Sequence, residues 1–192
     1  MKMLSIERIL ALSHKKAPDR RVYQTPTGYT RAAVLVPVID ADGGPFLLFT
    51  KRTGSVETHK GHISFPGGVV DSLDVSIEDT ALREAFEEIG LHRSSVSITG
   101  ILDDITTPTG FVITPVVGVV CGLPDLSISP EEVEEVFQVP LAHFADDNNG
   151  RTEVREVRGK RREVWFYETQ GYTIWGATAH IIRSMIKVIS EE

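Results

Sequence analysis

Apolar residues fall along this chain in two rhythms, one helical and one extended, and their alternation outlines the elements. Met3, Ile6, Ile9 and Leu10 recur at i, i+3, i+6 and i+7, which predicts a short amphipathic helix at the start. Residues 14–30 are polar and broken by Pro18, Pro26 and Gly28, so they read as an extended arm. Two apolar runs, 31–40 and 46–52, lie on either side of an Ala-Asp-Gly-Gly turn and predict a strand pair. Residues 58–74 read as a loop with one short strand at its middle. The strongest helical signal follows. Ile77, Ala81, Ala85 and Ile89 recur every four residues, Leu82 and Phe86 broaden the stripe, Ser76 with Asp79 makes a capping-box-like start, and Gly90 supplies a stop. Beyond it, residues 96–105 and 111–122 predict strands, and 130–137 a short helix with Pro130 in its first turn. Residues 153–168 predict a hairpin turning at Arg158–Gly159, and a last helix runs from about Gly176 to Ile189. Repeats are absent. The pattern describes one mixed α/β domain over residues 1–192, with 1–30 as N-terminal helix and arm and 31–192 as a core closed by the C-terminal helix.

Composition narrows the class without naming a function. With 41% hydrophobic and 24% charged residues, the chain is neither collagen-like nor disordered throughout, and one cysteine excludes a disulfide scaffold. Cys121 sits in an apolar run, where a small buried thiol is expected. Twenty Lys plus Arg against 27 Asp plus Glu leave a formal charge of −7, which argues against a protein built to hold a nucleic-acid backbone. No stretch reaches the roughly 18 apolar residues of a membrane helix. Glu7 and Arg8 interrupt the first apolar stretch, so a secretory signal is not expected and the cytoplasm is the expected location. The total charge does not say whether the acids serve solubility or chemistry.

Chemistry gathers in Gly67-Gly68 and in Arg83-Glu84-x-x-Glu87-Glu88-x-Gly90. On a helix, Glu84, Glu87 and Glu88 span an arc of roughly 100°, beside the apolar stripe. Such a cluster repels itself by a few tenths of a kcal/mol per pair. A solvated acidic face would intersperse lysines, whereas here the nearby cation is Arg83, spaced to orient a carboxylate. Clustered carboxylate oxygens suit a hard divalent cation such as Mg²⁺, which is commonly shared with substrate phosphates. A Gly-Gly turn would let a backbone carbonyl approach the same ion. The chemistry implied is attack of water on phosphorus with metal assistance. An acidic solvent face is the plain alternative, but these five fixed residues arise by chance at about one site in a million.

These residues resemble the signature of the Nudix hydrolases, G-x5-E-x7-R-E-U-x-E-E-x-G-U with U aliphatic. Its second half matches from Arg83 to Leu91, while Asp74 stands where the family has Glu, with eight residues instead of seven before Arg83. The resemblance implies an α/β/α sandwich with a mixed β-sheet and a central catalytic helix. It also implies Mg²⁺ or Mn²⁺ held by Glu87 and Glu88, Glu84 as ligand or water-activating base, Arg83 orienting them, and the Gly67 carbonyl completing the site. Residues 47–68 are similar to the coenzyme A diphosphatase branch through Arg52, His59, Gly61, Phe65, Pro66, Gly67 and Gly68, which implies substrate contacts from Arg52, His59 and Gly68. The branch differs at Thr53, at Glu57 (an Arg there) and at His62 (a Gln there).

The expected activity is therefore hydrolysis of a nucleoside diphosphate linked to another moiety, coenzyme A first. ADP-ribose or a nucleotide sugar is the alternative that Glu57 favours, and a silent nucleotide-binding module is the alternative outside catalysis. The partner expected is a small nucleotide, with no nucleic acid and no membrane. A homodimer stays open. Zinc at His59 and His62 would need further ligands, which are not nearby in sequence. The basic cluster Arg151, Arg155, Arg158, Lys160, Arg161 and Arg162 reads as a solvated hairpin or as a phosphate contact. One of Glu131, Glu132, Glu134 and Glu135 is open as an additional base or ligand.

Overall fold

The computed structural model describes residues 5–14, 25–54, 61–122, 124–157 and 159–190. Its centre is β1 (Thr30–Ala41), in which Leu35, Val36, Val38 and Ile39 are all fully buried. A run apolar on both faces belongs in a sheet covered on both sides, which explains why it does not alternate. On one edge β1 pairs in parallel with β7 (Phe111–Cys121), from Thr30 opposite Phe111 to Asp40 opposite Cys121. On its other edge it pairs antiparallel first with β4 (Gly67–Val69) and then with β2 (Gly44–Arg52). β3 (Ile63–Ser64) and β8 (Val133–Pro140) join β2, while β5 (Val96–Ile101) and β6 (Ile105–Thr106) join β7. Between β1 and β2, Gly43 and Gly44 take φ of +97° and +114°, the left-handed backbone that the turn requires.

Helix α2 (Ile77–Ile89) covers one face of this sheet. Ala81, Leu82, Ala85 and Ile89 pack there on Ala33, Leu35, Leu48, Val116 and Val120. Its ends are capped as the sequence predicts: Ser76 accepts a hydrogen bond from the Asp79 amide, and Gly90 closes the helix at φ +69°. The other face carries the larger core, in which Val36, Leu47, Phe49, Val117 and Val139 meet Phe144 of α3 (Leu141–Ala145) and Ile181, Ile182 and Met185 of α4 (Ala177–Ser190). A second, three-stranded antiparallel sheet of β9 (Gly150–Val157), β10 (Lys160–Thr169) and β11 (Tyr172–Trp175) adds Tyr167 and Ile174 to it. Short helix α1 (Ile6–Leu10) buries Ile9 in that core, and the Arg8 guanidinium donates to the Ile189 carbonyl at the end of α4. The architecture is the expected α/β sandwich with a mixed sheet. No helix among the described residues is long and apolar enough to cross a membrane.

Three expectations change. Residues 130–137 do not form a helix; 133–140 is strand β8, paired with β2 from Arg52–Val133 to Phe46–Pro140. Val133, Val136 and Phe137 imitate a helical period, but the open edge of β2 satisfies their backbone groups, and tertiary pairing overrides the helix preference of glutamate. The loop before α2 holds two short strands, β3 and β4, where one was expected. The stretch 96–105 breaks at Leu102, whose amide turns to the Pro115 carbonyl, so β5 and β6 are separate. The predicted hairpin is present as β9 and β10. Expectations concerning Met3, the centre of the arm, Glu57, His59, Arg158 and the side chain of Cys121 lie outside the described residues.

Candidate active site

The candidate site lies where α2 crosses β4. Close approach is possible because Gly67 and Gly68 lack side chains. A Cβ on Gly67 would fall 2.3 Å from the Ala33 carbonyl oxygen, and one on Gly68 would fall 2.5 Å from the Glu84 carboxylate. Glu84 therefore lies directly against the backbone of β4, half-buried, and this burial raises its pKa against the opposing pull of Arg83.

Glu88 lies one turn further on. Its side chain is only 3% exposed, its Oε1 is 3.5 Å from the Arg52 guanidinium, and its Oε2 is buried without a hydrogen-bond partner. Burial pushes the Glu88 carboxyl up to about 8; Glu132 and Glu84 add to the rise, while Arg52 and the Gly67 amide oppose it. A buried carboxylate oxygen without a donor costs free energy unless something supplies positive charge.

Arg83 organises the exposed side. Its Nε and Nη2 each lie 2.9 Å from Asp74 in a bidentate pair, its Nη1 donates to Glu84 at 2.8 Å and Glu87 at 2.9 Å, and Nη2 also reaches the Val69 carbonyl at 3.1 Å. Asp74 is further bonded by the Thr80 hydroxyl and the Asp71 amide, and the Arg83 hydrogen bond holds it well below the usual carboxylate range. Both of its oxygens are engaged, so Asp74 fixes Arg83 and is not a free ligand. Glu87 remains exposed.

The structure thus brings together Glu84, Glu87, Glu88, Arg83, Gly67, Gly68 and Arg52. Arg52 faces Glu88, a neighbour that the sequence alone did not assign to it. Among the described residues no three metal-binding side chains already converge as a closed cage, because Glu84 and Glu87 both lean toward Arg83. Of the four glutamates at 131–135, Glu132 is the one whose charge acts on both Glu84 and Glu88. It is set there by Thr53, whose amide donates to the Glu132 carbonyl and whose hydroxyl donates to that of Glu131. Sequence could not select Glu132, because it lies not in the expected helix but in the turn just before β8, held by the distant Thr53.

The family model for the NUDIX domain matches residues 29–166, which spans the sheet, α2 and most of the second sheet. The chain is a Nudix hydrolase. It is 38% identical to the Nudix hydrolase NudL of Cronobacter sakazakii over 193 residues, covering 98% of this chain and 97% of that one. It is 41% identical to NudL of an Enterobacter species over 157 residues, covering 81% and 80%. Among solved structures, a Deinococcus radiodurans protein superposes with a TM-score of 0.54 at 15% identity, covering 85% of this chain and 88% of the other. A MutT/nudix family protein from Enterococcus faecalis gives 0.53 at 17%, covering 97% and 70%. The last two likenesses concern the fold alone. As a member of this family the chain is a pyrophosphohydrolase acting on phosphoric anhydrides.

Proposed function

We propose that this Nudix hydrolase cleaves the diphosphate of coenzyme A or a close derivative, giving 3′,5′-ADP and 4′-phosphopantetheine, with Mg²⁺ or Mn²⁺. The observation that carries the metal-dependent reading is the buried, donor-less Oε2 of Glu88 beside Glu84 and the glycine pair. An oxygen donor set of this kind fits a hard divalent cation. In this reading Glu88 and Glu87 hold the ion with the Gly67 carbonyl, and Glu84 contributes either as ligand or as base. When bound, such an ion offsets phosphate charge and lowers the pKa of its water. Arg83, locked by Asp74, holds Glu84 and Glu87 side by side through its Nη1. If it is the base, Glu84 at the Gly68 backbone would accept the proton of the attacking water, its proton affinity raised chiefly by burial and to a lesser extent by Glu87 and Glu132. Arg52 and Gly68 border the phosphates, and the motif match implies a substrate contact from His59, which lies outside the described residues. Cytoplasmic placement belongs to the same reading.

The substrate assignment is supported by the Arg52, Gly61, Phe65, Pro66, Gly67 and Gly68 matches to the coenzyme A branch. It is tested by kcat/KM for coenzyme A, ADP-ribose, NADH and dNTPs with Mg²⁺. Coenzyme A is expected to lead, and a higher value for ADP-ribose would replace it. Glu88→Gln keeps shape and removes charge, and a rate near that of the wild type in this variant would take Glu88 out of the metal site.

A further inference from the structure

The three-stranded sheet turns Tyr167 and Ile174 to the core. Strand alternation then puts Arg151, Glu153 and Arg155 of β9, Arg162, Phe166 and Glu168 of β10, and Trp175 of β11 together on the opposite face. Phe166 is nevertheless only 3% exposed. The guanidiniums of Arg151 and Arg155 lie over its ring at 4.4 and 4.6 Å, and Arg155 is also 5.6 Å from the Trp175 ring. A guanidinium stacked by its face keeps its N–H groups in plane and available at the rim. Glu153 pairs with both arginines and Glu168 with Arg151, so two arginines share two carboxylates, and Arg162 adds a third positive charge to the same face of a chain whose net charge is −7.

The register adds a second observation. Arg162 stands directly opposite Arg155 across the β9–β10 ladder. Like charges facing each other in an antiparallel pair destabilise it, and an anion seated between them reverses the sign of that interaction. This face also borders the carboxylate site. The Trp175 ring meets His62 edge-on with centroids 5.0 Å apart, the His62 carbonyl accepts the Arg52 amide at 3.0 Å, and the Arg52 guanidinium faces Glu88.

We propose that Arg155 and Arg162, supported by Arg151 on the Phe166 floor, form a second anion subsite. It would bind a phosphomonoester carried on the nucleoside arm of the diphosphate substrate. This deepens the diphosphatase reading above and rests on it. A phosphomonoester dianion accepts several charge-assisted N–H bonds at once, which a neutral ribose hydroxyl does not. The subsite therefore selects among substrates whose scissile diphosphate is identical, and it acts through binding and leaves the chemical step alone.

Two substrates differing only in that phosphate test it: coenzyme A and 3′-dephospho-coenzyme A. Wild type is expected to prefer the phosphorylated substrate in kcat/KM by about tenfold or more, and Arg155→Gln and Arg162→Gln to reduce the preference to about threefold or less through KM. Arg161→Gln removes the same charge from the opposite face of the same hairpin and is expected to retain the wild-type preference. A wild type without preference, or variants that keep it, would overturn the subsite while leaving the diphosphatase reading standing. If neither substrate is hydrolysed, the diphosphatase reading fails on its own. Calorimetry of adenosine 3′,5′-bisphosphate against AMP then decides the subsite. Tighter bisphosphate binding that Arg155→Gln abolishes supports it, and equal affinities overturn it.

Discussion

Glu88 combines the two properties that set the behaviour of the site, burial and an unpartnered oxygen. Its carboxyl is raised to about 8, so the native metal-free protein retains a proton there that the unfolded chain releases above about 4.5. The native state binds more protons through that window. The stability from this group is therefore full below the unfolded pKa and is lost as pH rises through about 8. In metal-free protein, Tm is expected to fall from pH 5 to 8 more steeply in wild type than in Glu88→Gln, which cannot titrate; equal slopes would refute the assignment. Metal binding requires the ionised form, so Mg²⁺ binding near neutral pH is expected to release a proton from wild type and none from Glu88→Gln. Calorimetry in buffers of different ionisation enthalpy reads this directly. Asp74 makes the complementary case. Its two oxygens are saturated by Arg83, Thr80 and the Asp71 amide, so its effect on catalysis runs through Arg83. Asp74→Asn is expected to lower kcat by about 10–100-fold while KM changes little, the size typical of losing a group that orients ligands. Steady-state kinetics check it, and a purely structural role would show instead as a lowered Tm with kcat intact.

At the scale of elements, α2 was legible because its information is local. The four-residue apolar period, the Ser76 cap and the Gly90 stop all sit within fifteen residues, and each takes the conformation its chemistry favours. Ser76→Ala is expected to cost about 1 kcal/mol with an unchanged urea m-value, since the cap bond to the Asp79 amide is lost and the surface exposed on unfolding is not. β8 was illegible for the converse reason. Its glutamates favour helix, and what makes it a strand is the free edge of β2, more than 80 residues away in the Lys51–Glu135 pairing. The same non-locality hid Glu132, whose carbonyl accepts the Thr53 amide, and the Arg52–Glu88 contact, which joins β2 to α2. The glycine pair lies between these cases. Its sequence pattern announced a close approach, but only the crossing of α2 over β4 shows that the group approached is the Glu84 carboxylate. Gly68→Ala is accordingly expected to abolish most turnover by displacing Glu84 while far-UV circular dichroism stays native; an active Gly68→Ala enzyme would show that Glu84 need not lie against the strand.

Across the whole molecule, one sheet separates two cores of different duty. The smaller core under α2 holds the carboxylate helix to β1 and β4, and the larger one packs α1, α3, α4 and the second sheet against the opposite face. Stability and catalysis are thereby dissociable by position. Ile9 is the clearest probe, because it is fully buried in the larger core, comes from the shortest terminal helix, and lies across the sheet from Glu84, Glu87 and Glu88. Its truncation removes apolar contact and leaves a cavity between α1 and α4, which the Arg8 bond to Ile189 also ties together. Ile9→Ala is expected to lower stability by about 2–5 kcal/mol, seen as a reduced urea midpoint, while kcat and the Mg²⁺ dependence at 25 °C stay within about twofold of wild type. A matching loss of kcat in folded protein would mean that the sheet transmits packing changes from one face to the other. The net charge of −7 divides along the same line: three of the five carboxylates on α2, Glu84, Glu87 and Glu88, are gathered along one edge, where only a cation makes their proximity favourable, and the second sheet carries Arg151, Arg155 and Arg162 on its face away from the core.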